Sequence, residues 1–294
     1  MANELTSQYT DFLRQIFLFS SLNDEQIDSL AARIRSTRSW LGEQGIFYLF
    51  TVAPDKQSIY PEFLPDIYGQ ARKISRLDQA LSALNLDPAS HILDLRPVLL
   101  RNKDGQRLYD KTDTHWNYLG AYCGYRELVR AVTTQFPGED LHAYFTVGGH
   151  WQRDPAGDLA QLSGRSDSLW EMRPVVMAWL RAKDKKLSAP LQELLLLKEL
   201  QPVVTVRAGK KLRVLVLHDS FMNTMKPFVS ESFGEVLYIW KYFDRDVEKF
   251  LSREVVQKVL DEFKPDIVID EVVERHLDWL IQSEASKNDS ASNR

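Results

Sequence analysis

The sequence predicts an α/β protein in which helices cover both faces of a parallel β-sheet and an irregular insertion interrupts the pattern. Short apolar runs rich in β-branched residues, such as LRVLVL at 212–217, are typical of strands buried on both faces of a sheet. Longer helical stretches separate these runs. Alternating strands and helices favour right-handed crossovers between neighbouring parallel strands.

The first half of the chain contains two predicted strands. Helices are predicted at 4–20 and 24–43, and Asn23 with Gln26 three positions later forms a capping-box pattern at the start of the second. That helix is expected to close near Gly45. The aromatic and β-branched run GIFYLFTV at 45–52 predicts a buried strand, and Ala-Pro-Asp breaks it. A helix at 66–85 and a strand at 91–95 (HILDL) follow.

The second half is predicted to complete the sheet after an insertion. A helix at 118–136 ends at Pro137-Gly138, and the segment 141–205 is expected to be an irregular insertion with some extended pieces. The run LLLL at 194–197 fits a helix or a strand equally well. Strands at 212–217, 236–240 and 266–270, a helix at 245–263 and a final helix EVVERHLDWLIQ at 271–282 are expected. Residues 1–282 then form one domain, with a disordered tail at 283–294.

The composition excludes several classes of function. A net charge of −4 without a dense basic block does not favour a nucleic-acid partner. The single cysteine, Cys123, excludes an intrachain disulfide and a cysteine-based zinc site, and it is expected to pack as a small apolar residue. No apolar run approaches the ~20 residues that span a bilayer. The start MANELTSQYTDFLRQ lacks a secretory pattern, so a soluble chain is expected, although a removed leader remains open.

Four polar segments follow predicted strands. They are Ala-Pro-Asp-Lys56, DTHWN at 113–117, His-Asp-Ser220 and the segment 271–275. In parallel sheets covered by helices, ligands bind beyond the carboxyl ends of the strands. The sequence therefore predicts that these segments meet at one edge of the sheet and form a shared site.

The residue types in two of these segments suit nucleophilic catalysis. A serine hydroxyl is a weak nucleophile that needs an adjacent base, and the turn that holds Ser220 leaves a buried strand. His115 is a candidate base because imidazole titrates near neutral pH. In an extended segment residues i and i+2 point to the same side, so Asp113 can orient the His115 ring. The order Asp, His, Ser is one of several that such triads use.

Structural alternatives remain open for each of these residues. Asp113 or Thr114 can simply cap the helix that follows. His115 can be a hydrogen-bonded core residue, and a serine after a strand is common. His142, His150 and His276 lack metal-ligand spacing, so neither a metal nor another cofactor is expected.

The chain resembles a known family in these same segments. YDKTDTHWNYLGAYCGYREL at 109–128 and VLVLHDSF at 214–221 resemble the SGNH-hydrolase-like domain of the AlgX/AlgJ (DHHW-type) polysaccharide O-acetyltransferases. VAPDKQSIYPEFLP, GDLAQLSG at 157–164 and KPDIVIDEVVER add to the likeness, which runs from about 40 to 280. It implies an SGNH-like fold with Ser220 as nucleophile, His115 as base and Asp113 as the orienting carboxylate.

The resemblance also implies a substrate and partners. Family members move acetyl groups to or from hydroxyls of exopolysaccharides such as alginate in the periplasm or cell envelope, often with a membrane-bound acyltransferase that supplies acetyl. This chain shows no signal, membrane anchor or additional carbohydrate-binding module, so a cytoplasmic location also remains open.

An acetyl-Ser220 intermediate is the mechanism this similarity favours. The Ser220 backbone N–H is the expected first oxyanion donor, each such donor contributing about 3 kcal/mol. Asn117 is a candidate second donor, unless it only satisfies local backbone. Lys56 and Arg275 are candidates for binding a carboxylated sugar, or else form surface ion pairs.

Two other functions fit the same residues. In a carbohydrate acetylesterase, water replaces the sugar as acceptor, and the sequence does not separate this activity from transfer. In a catalytically silent module, the domain would bind glycans or act as a scaffold.

Overall fold

The computed structural model describes residues 22–64, 74–84, 92–142, 145–177, 180–196, 200–241 and 251–281. The predicted helix at 4–20, the tail at 283–294 and parts of the helices predicted at 66–85 and 245–263 lie outside these ranges. Helix α1 (Asp24–Gly42) begins with the predicted capping box. Asn23 Oδ1 accepts the Gln26 N–H at 2.8 Å, and Gln26 Oε1 accepts the Asn23 N–H at 2.9 Å.

A seven-stranded sheet organises these parts of the chain, and the predicted α/β fold class is confirmed. Its strand order is β2-β1-β9-β7-β8-β6-β5, and the first five strands in that order run parallel. β6 and β5 extend the sheet in antiparallel orientation. The strands are β1 (Phe47–Ala53), β2 (Ile92–Asp94), β5 (Lys183–Lys185), β6 (Val203–Val206), β7 (Arg213–His218), β8 (Glu235–Trp240) and β9 (Ile267–Val273).

Helices bury both faces of this sheet. Alternate residues of each strand point to opposite faces, so Leu215 and Leu217 enter one apolar core while Val214 and Val216 enter the other. The helices against the first core are α1, α3 (Arg76–Leu84), α7 (Ala189–Leu196) and α9 (Arg253–Phe263). Those against the second are the short α2 (Lys56–Ile59), α4 (Arg96–Asn102), α5 (Tyr118–Gln135) and α8 (Phe221–Ser232). Cys123 packs against this second core as predicted.

The last strand is longer than predicted, and the final predicted helix is wrong over its first residues. β9 continues through Glu271 to Val273, and every residue of the strand is buried. Glu274–His276 then form a single 3₁₀ turn. The pattern EVV suits a helix or a strand, but pairing with β1 up to Ala53 opposite Val273 keeps these residues in the sheet.

The insertion contains regular elements. β3 (Thr146–Pro155) and β4 (Trp170–Met177) pair as an antiparallel two-stranded ribbon, and α6 (Asp158–Leu162) lies between them. The run LLLL begins inside α7, so the described part of this run is a helix rather than a strand. The prediction of an irregular insertion is therefore wrong for the part described, because the segment forms the ribbon, two helices and the two antiparallel strands at one end of the main sheet. None of the helices in the described ranges is both long and apolar enough to cross a membrane.

Candidate active site

The turn between β7 and α8 holds Ser220 at the carboxyl edge of the sheet. Asp219, which is buried, fastens this turn: its Oδ1 accepts the Phe221 N–H at 2.8 Å and its Oδ2 accepts the Val273 N–H at 2.7 Å. The second bond ties the turn to the end of β9. Ser220 is the residue that precedes α8, so the positive end of the helix dipole lies beside its hydroxyl.

A closed loop presents the histidine. We call residues 110–115 the His115 loop. Its ends meet where Tyr109 and Trp116 form an antiparallel bridge and the Asn117 N–H donates to the Leu108 carbonyl at 2.9 Å. The Trp116 indole is buried and donates to the Phe221 carbonyl at 3.0 Å, which holds the loop against the first turn of α8.

Three predicted residues meet at this edge. His115 Nε2 lies 2.7 Å from Ser220 Oγ, although the two residues are 105 positions apart in the sequence. His115 Nδ1 lies 2.7 Å from Asp113 Oδ1, which also accepts the His115 backbone N–H at 2.9 Å. The distances fit a serine hydroxyl, an imidazole and a carboxylate in one hydrogen-bonded chain. Their catalytic role stays a prediction.

Lys56 supports the His115 loop from behind. Its ammonium donates to the carbonyls of Asp110, Lys111 and Asp113 at 2.7, 3.0 and 2.9 Å. Three bonds use all three N–H groups of a lysine. Burial lowers the pKa of Lys56, against the attraction of nearby carboxylates. Lys56 therefore positions the loop and is not free to bind a carboxylated sugar.

The insertion reaches the His115 loop through α6. Asp158 Oδ1 accepts the Thr114 N–H at 2.7 Å, its Oδ2 accepts the Thr114 hydroxyl, and Oδ2 lies 3.6 Å from His115 Nδ1. The Gly157 N–H donates to the Thr112 hydroxyl at 3.1 Å. A Cβ on Gly157 would lie only 2.5 Å from Asp113 Cγ, so this close approach requires glycine.

Strand β4 holds the same loop with charged side chains. Glu171 accepts the backbone N–H and hydroxyl of Thr112, both at 2.9 Å, and pairs with Arg107 at 2.8 Å. Two positions on, Arg173 Nε lies 2.8 Å from Asp110 Oδ2 and its Nη2 lies 3.3 Å from Asp113 Oδ2. Because alternate residues share a face, one face of the ribbon supplies both contacts.

Two other predicted residues are used elsewhere. The Asn117 side-chain nitrogen donates to the Arg107 carbonyl at 2.8 Å, and its oxygen caps α5 by accepting the N–H groups of Leu119 and Gly120. These bonds use the amide oxygen and one of the two amide hydrogens, so Asn117 is held mainly by local backbone, which was the alternative to a role as oxyanion donor. Arg275 forms a buried pair with Asp55 at 2.5 Å, so it is neither a surface pair nor open to a ligand.

The electrostatics keep Asp113 charged. Burial alone would raise the pKa of Asp113, but hydrogen bonds from the His115 ring and backbone, together with the electrostatic influence of His115 and Arg173, outweigh it and lower the pKa to about 2. Burial has the larger effect on Asp110 and raises its pKa to about 6. Asp113 is therefore the carboxylate that can stabilise a protonated His115.

A cleft of about 590 Å³ opens above these groups. The His115 loop and the start of α8 form one side, and the ribbon forms the other. It is lined by Asp110, Asp113, His115, Trp116, Asn117, Tyr118, Gln152, Asp154, Arg173, Pro174, Val175, Val176, Leu180, Ser220, Asn223, Thr224 and Pro227. Its size suits a sugar unit or a short ester.

One group of side chains in the described ranges has donor atoms close enough to share a metal ion. Asp113, His115 and Asp158 each offer an atom within 4.8 Å of the others. Every one of these donors already has a hydrogen-bond partner among the His115 loop, Ser220 and Thr114. Binding a metal would break the contact between His115 and Asp113 or Ser220, so the arrangement fits proton transfer better than metal coordination.

Four insertion residues contact the His115 loop without being predicted from the sequence to do so: Gly157, Asp158, Glu171 and Arg173. GDLAQLSG contributed to the family resemblance, and it was the available signal for Gly157 and Asp158. Glu171 and Arg173 lie in a segment with no motif, and only the pairing of β3 with β4 brings them to the His115 loop.

A comparison with family models finds one match. The model described as the SGNH hydrolase-like domain of the acetyltransferase AlgX matches residues 12–206, which is more than half of the chain. No curated relative matches the chain by sequence.

Several solved structures share the fold. Bacillus cereus PatB1 with a sulfonyl adduct aligns with a TM-score of 0.59 at 17% identity, covering 86% of this chain and 90% of that one. A DHHW family protein from Eubacterium siraeum gives 0.61 at 15% identity, with 91% and 90% covered. The O-acetyltransferase domain of Pseudomonas putida AlgJ gives 0.50 at 18% identity, with 89% and 90% covered. At such identities these likenesses establish the fold alone.

Proposed function

Because the chain belongs to the family of the SGNH hydrolase-like acetyltransferase AlgX, we propose that it transfers acetyl groups to hydroxyls of a polysaccharide through an acetyl-Ser220 intermediate. The observation that carries this proposal is the chain of two 2.7 Å contacts from Ser220 Oγ through the His115 ring to Asp113. A hydroxyl so placed can lose its proton to the imidazole as it attacks.

The first step acylates the serine. Ser220 Oγ attacks the carbonyl carbon of an acetyl ester while His115 Nε2 takes the hydroxyl proton, and the donor's alcohol leaves with that proton. The ionised Asp113 stabilises the imidazolium in between. The oxyanion lies at the start of α8, where the Ser220 N–H and the exposed Asn223 side chain, which also lines the cleft, are the donors we assign.

The second step deacylates the serine. A sugar hydroxyl bound in the cleft gives its proton to His115 Nε2 and attacks the acetyl carbonyl, the Ser220 Oγ–carbon bond breaks, and the proton returns to Oγ. Water can replace the sugar, since about a quarter of the His115 side chain (27%) is exposed. A carbohydrate acetylesterase is therefore the second candidate.

The resemblance to AlgX and AlgJ supports a wider setting for this activity. We place the protein in the cell envelope, where a membrane-bound acyltransferase would supply the acetyl group and an exopolysaccharide would accept it. This placement is independent of the chemistry, so the two can be tested separately.

Mass spectrometry on the purified protein tests the proposed chemistry. Brief incubation with p-nitrophenyl acetate is expected to leave an acetyl group on the peptide containing Ser220, and added oligosaccharide is expected to carry acetyl away. A sulfonyl fluoride should modify the same peptide. Release of free acetate alone, whatever the acceptor, would favour the esterase, and an unmodified Ser220 under all conditions would favour the catalytically silent module.

A further inference from the structure

We propose, on the premise of the proposed function, that the cleft selects a glycan unit without a carboxylate, and that a sugar bearing a free ammonium group fits it best. Asp154 on β3 is the specificity-determining residue. The proposal concerns the acceptor in the second step, whose hydroxyl displaces Ser220 Oγ from the acetyl carbon while its proton passes to His115.

The charged side chains that line the cleft have an excess of negative charge. Besides His115, they are the carboxyls of Asp110, Asp113 and Asp154 and the single guanidinium of Arg173. Arg173 is shared between Asp110 and Asp113, at 2.8 and 3.3 Å. With all three carboxyls ionised and His115 neutral, three negative charges against one positive leave the lining two units negative. An incoming carboxylate therefore meets no uncommitted cation in the lining.

Asp154 is the acid that no cation compensates. Its carboxylate accepts both of its hydrogen bonds from the Gln152 amide, at 3.1 and 2.9 Å, and among the described residues it has no ion-pair partner. Gln152 is neutral, so its amide fixes the orientation of the Asp154 carboxylate but does not neutralise its negative charge. Because residues i and i+2 of a strand share a face, both side chains point with Arg173 toward the cleft.

Nearby cations that might have bound a carboxylated sugar are employed elsewhere. Lys56 donates its three N–H groups to carbonyls of the His115 loop, and Arg275 is paired with Asp55 with 9% of its side chain exposed. Arg153 follows Gln152 on β3, so it points to the opposite face of the ribbon, where it stacks on Trp170 at 4.4 Å. The charge of Arg153 therefore lies outside the cleft, and Arg173, shared between Asp110 and Asp113, is the ribbon cation that lines it.

Charge then selects the acceptor by attraction and by repulsion. In a partly enclosed cleft, like charges raise the free energy of binding and opposite charges lower it, more strongly than in bulk water. A uronic acid would bring its carboxylate beside Asp154 with no counterion. An ammonium group would instead form an ion pair there, and a neutral sugar would gain neither contact.

Acceptor competition tests the proposal. Transfer of acetyl from p-nitrophenyl acetate to oligomers of glucosamine, glucose and uronic acid of equal length is followed by mass spectrometry. We expect kcat/KM to fall in that order, about tenfold between the first and the last. Raising the ionic strength should shrink this ratio, because salt screens partly exposed charges. That readout needs no variant.

Substitutions assign the effect to one residue. Asp154→Asn should bring the ratio close to one and Asp154→Lys should invert it, whereas Asp184→Asn on the exposed strand β5 should leave it unchanged. Equal or better transfer to the uronic acid oligomer by the unmodified protein would overturn the proposal, as would a salt-independent ratio. If no acetyl reaches Ser220 from the donor, the proposed function fails instead, which is a separate result.

Discussion

The two sides of the cleft are built from different interactions. On the sheet side, Ser220 is placed by the backbone: β7 pairs with β9 from Val214 to Leu217, and buried Asp219 joins the turn to Val273. On the insertion side, the His115 loop is placed by side chains, through Asp158, Glu171 and Arg173. Hydrogen-bonded strands between two apolar cores resist change, while contacts made by partly exposed side chains such as Asp158 and Arg173 adjust more readily.

This contrast predicts what substitutions on each side will do. A change on the sheet side acts on the nucleophile itself or on the stability of the fold. A change in the insertion shifts the His115 loop by a fraction of an ångström while the sheet persists. Small displacements of catalytic groups cost large factors in rate. The insertion is therefore the place to alter turnover without unfolding the protein.

Removing the nucleophile should have the largest effect. Ser220→Ala is expected to lower kcat for p-nitrophenyl acetate by about 10⁴-fold, because the acyl acceptor is lost. Ser36→Ala, an exposed serine on α1, is the matched control and should match the unmodified protein. Retention of most activity by Ser220→Ala would show that another group is acylated.

A methyl group on Gly157 should have the next largest effect. Gly157→Ala forces the Asp113 carboxylate to move, since the added Cβ would lie 2.5 Å from its Cγ. We expect kcat to fall by about 10²-fold with little change in melting temperature. Gly138→Ala, where nothing lies within 4 Å of an added Cβ, is the control. Equal activity of the two variants would contradict the role given to the insertion.

Neutralising Asp158 should have a smaller effect that depends on Asp113. Asp158→Asn removes a negative charge 3.6 Å from His115 Nδ1, and we expect kcat to fall by about tenfold. In the Asp113→Asn background the same change should cost more, because Asp158 is then the remaining carboxylate beside the ring. Additive losses in the double variant, measured by steady-state kinetics, would show that the two carboxylates act independently.

His218 tests the sheet side with the smallest effect on turnover. Burial, with the nearby charge of Lys226, lowers the pKa of His218 to about 4. Between its ordinary value of about 6.5 and 4, the unfolded chain binds a proton that the folded protein does not. Stability is therefore lost as pH falls through this window, by an amount on the order of 3 kcal/mol.

Urea unfolding at pH 7 and pH 4 measures this loss. His218→Gln should flatten the pH dependence of the unfolding free energy by that amount while kcat at pH 7 stays close to that of the unmodified protein. His276, whose pKa burial also lowers, acts in the same direction, so the comparison is between the two proteins at each pH. An equal slope in both proteins would show that His218 takes up its proton without unfolding.

The parts of the fold that were predictable are those whose pattern has one structural solution. A run as apolar as LRVLVL is typical of a strand buried on both faces of a sheet. The strand predicted at 212–217 is confirmed as β7. The end of β9 was not predictable in this way, because the sequence EVV fits either a strand or a helix. The pairing of Val273 with Ala53 in the folded sheet makes it a strand. No sequence motif indicates that β3 pairs with β4, so the contacts of Glu171 and Arg173 with the His115 loop could not be predicted.

Charged residues were the least predictable. Lys56 and Arg275 were expected near a substrate because their segments follow strands, and both do lie near the carboxyl edge of the sheet. Their partners decided what they do: three carbonyls surround Lys56, and Asp55 pairs with Arg275. A long side chain can reach many groups, so its position along the chain does not specify its contact.

By itself the sequence determined the parallel sheet and the residue types of the candidate triad. Both depend on local properties of the chain: apolar runs that form strands, and reactive side chains that follow the ends of those strands. Only the tertiary structure decided that His115 lies 2.7 Å from Ser220, that Arg173 of the insertion pairs with Asp113, and that the cleft lining is acidic. Distances between segments 105 residues apart depend on how the whole chain packs, and no local pattern encodes them.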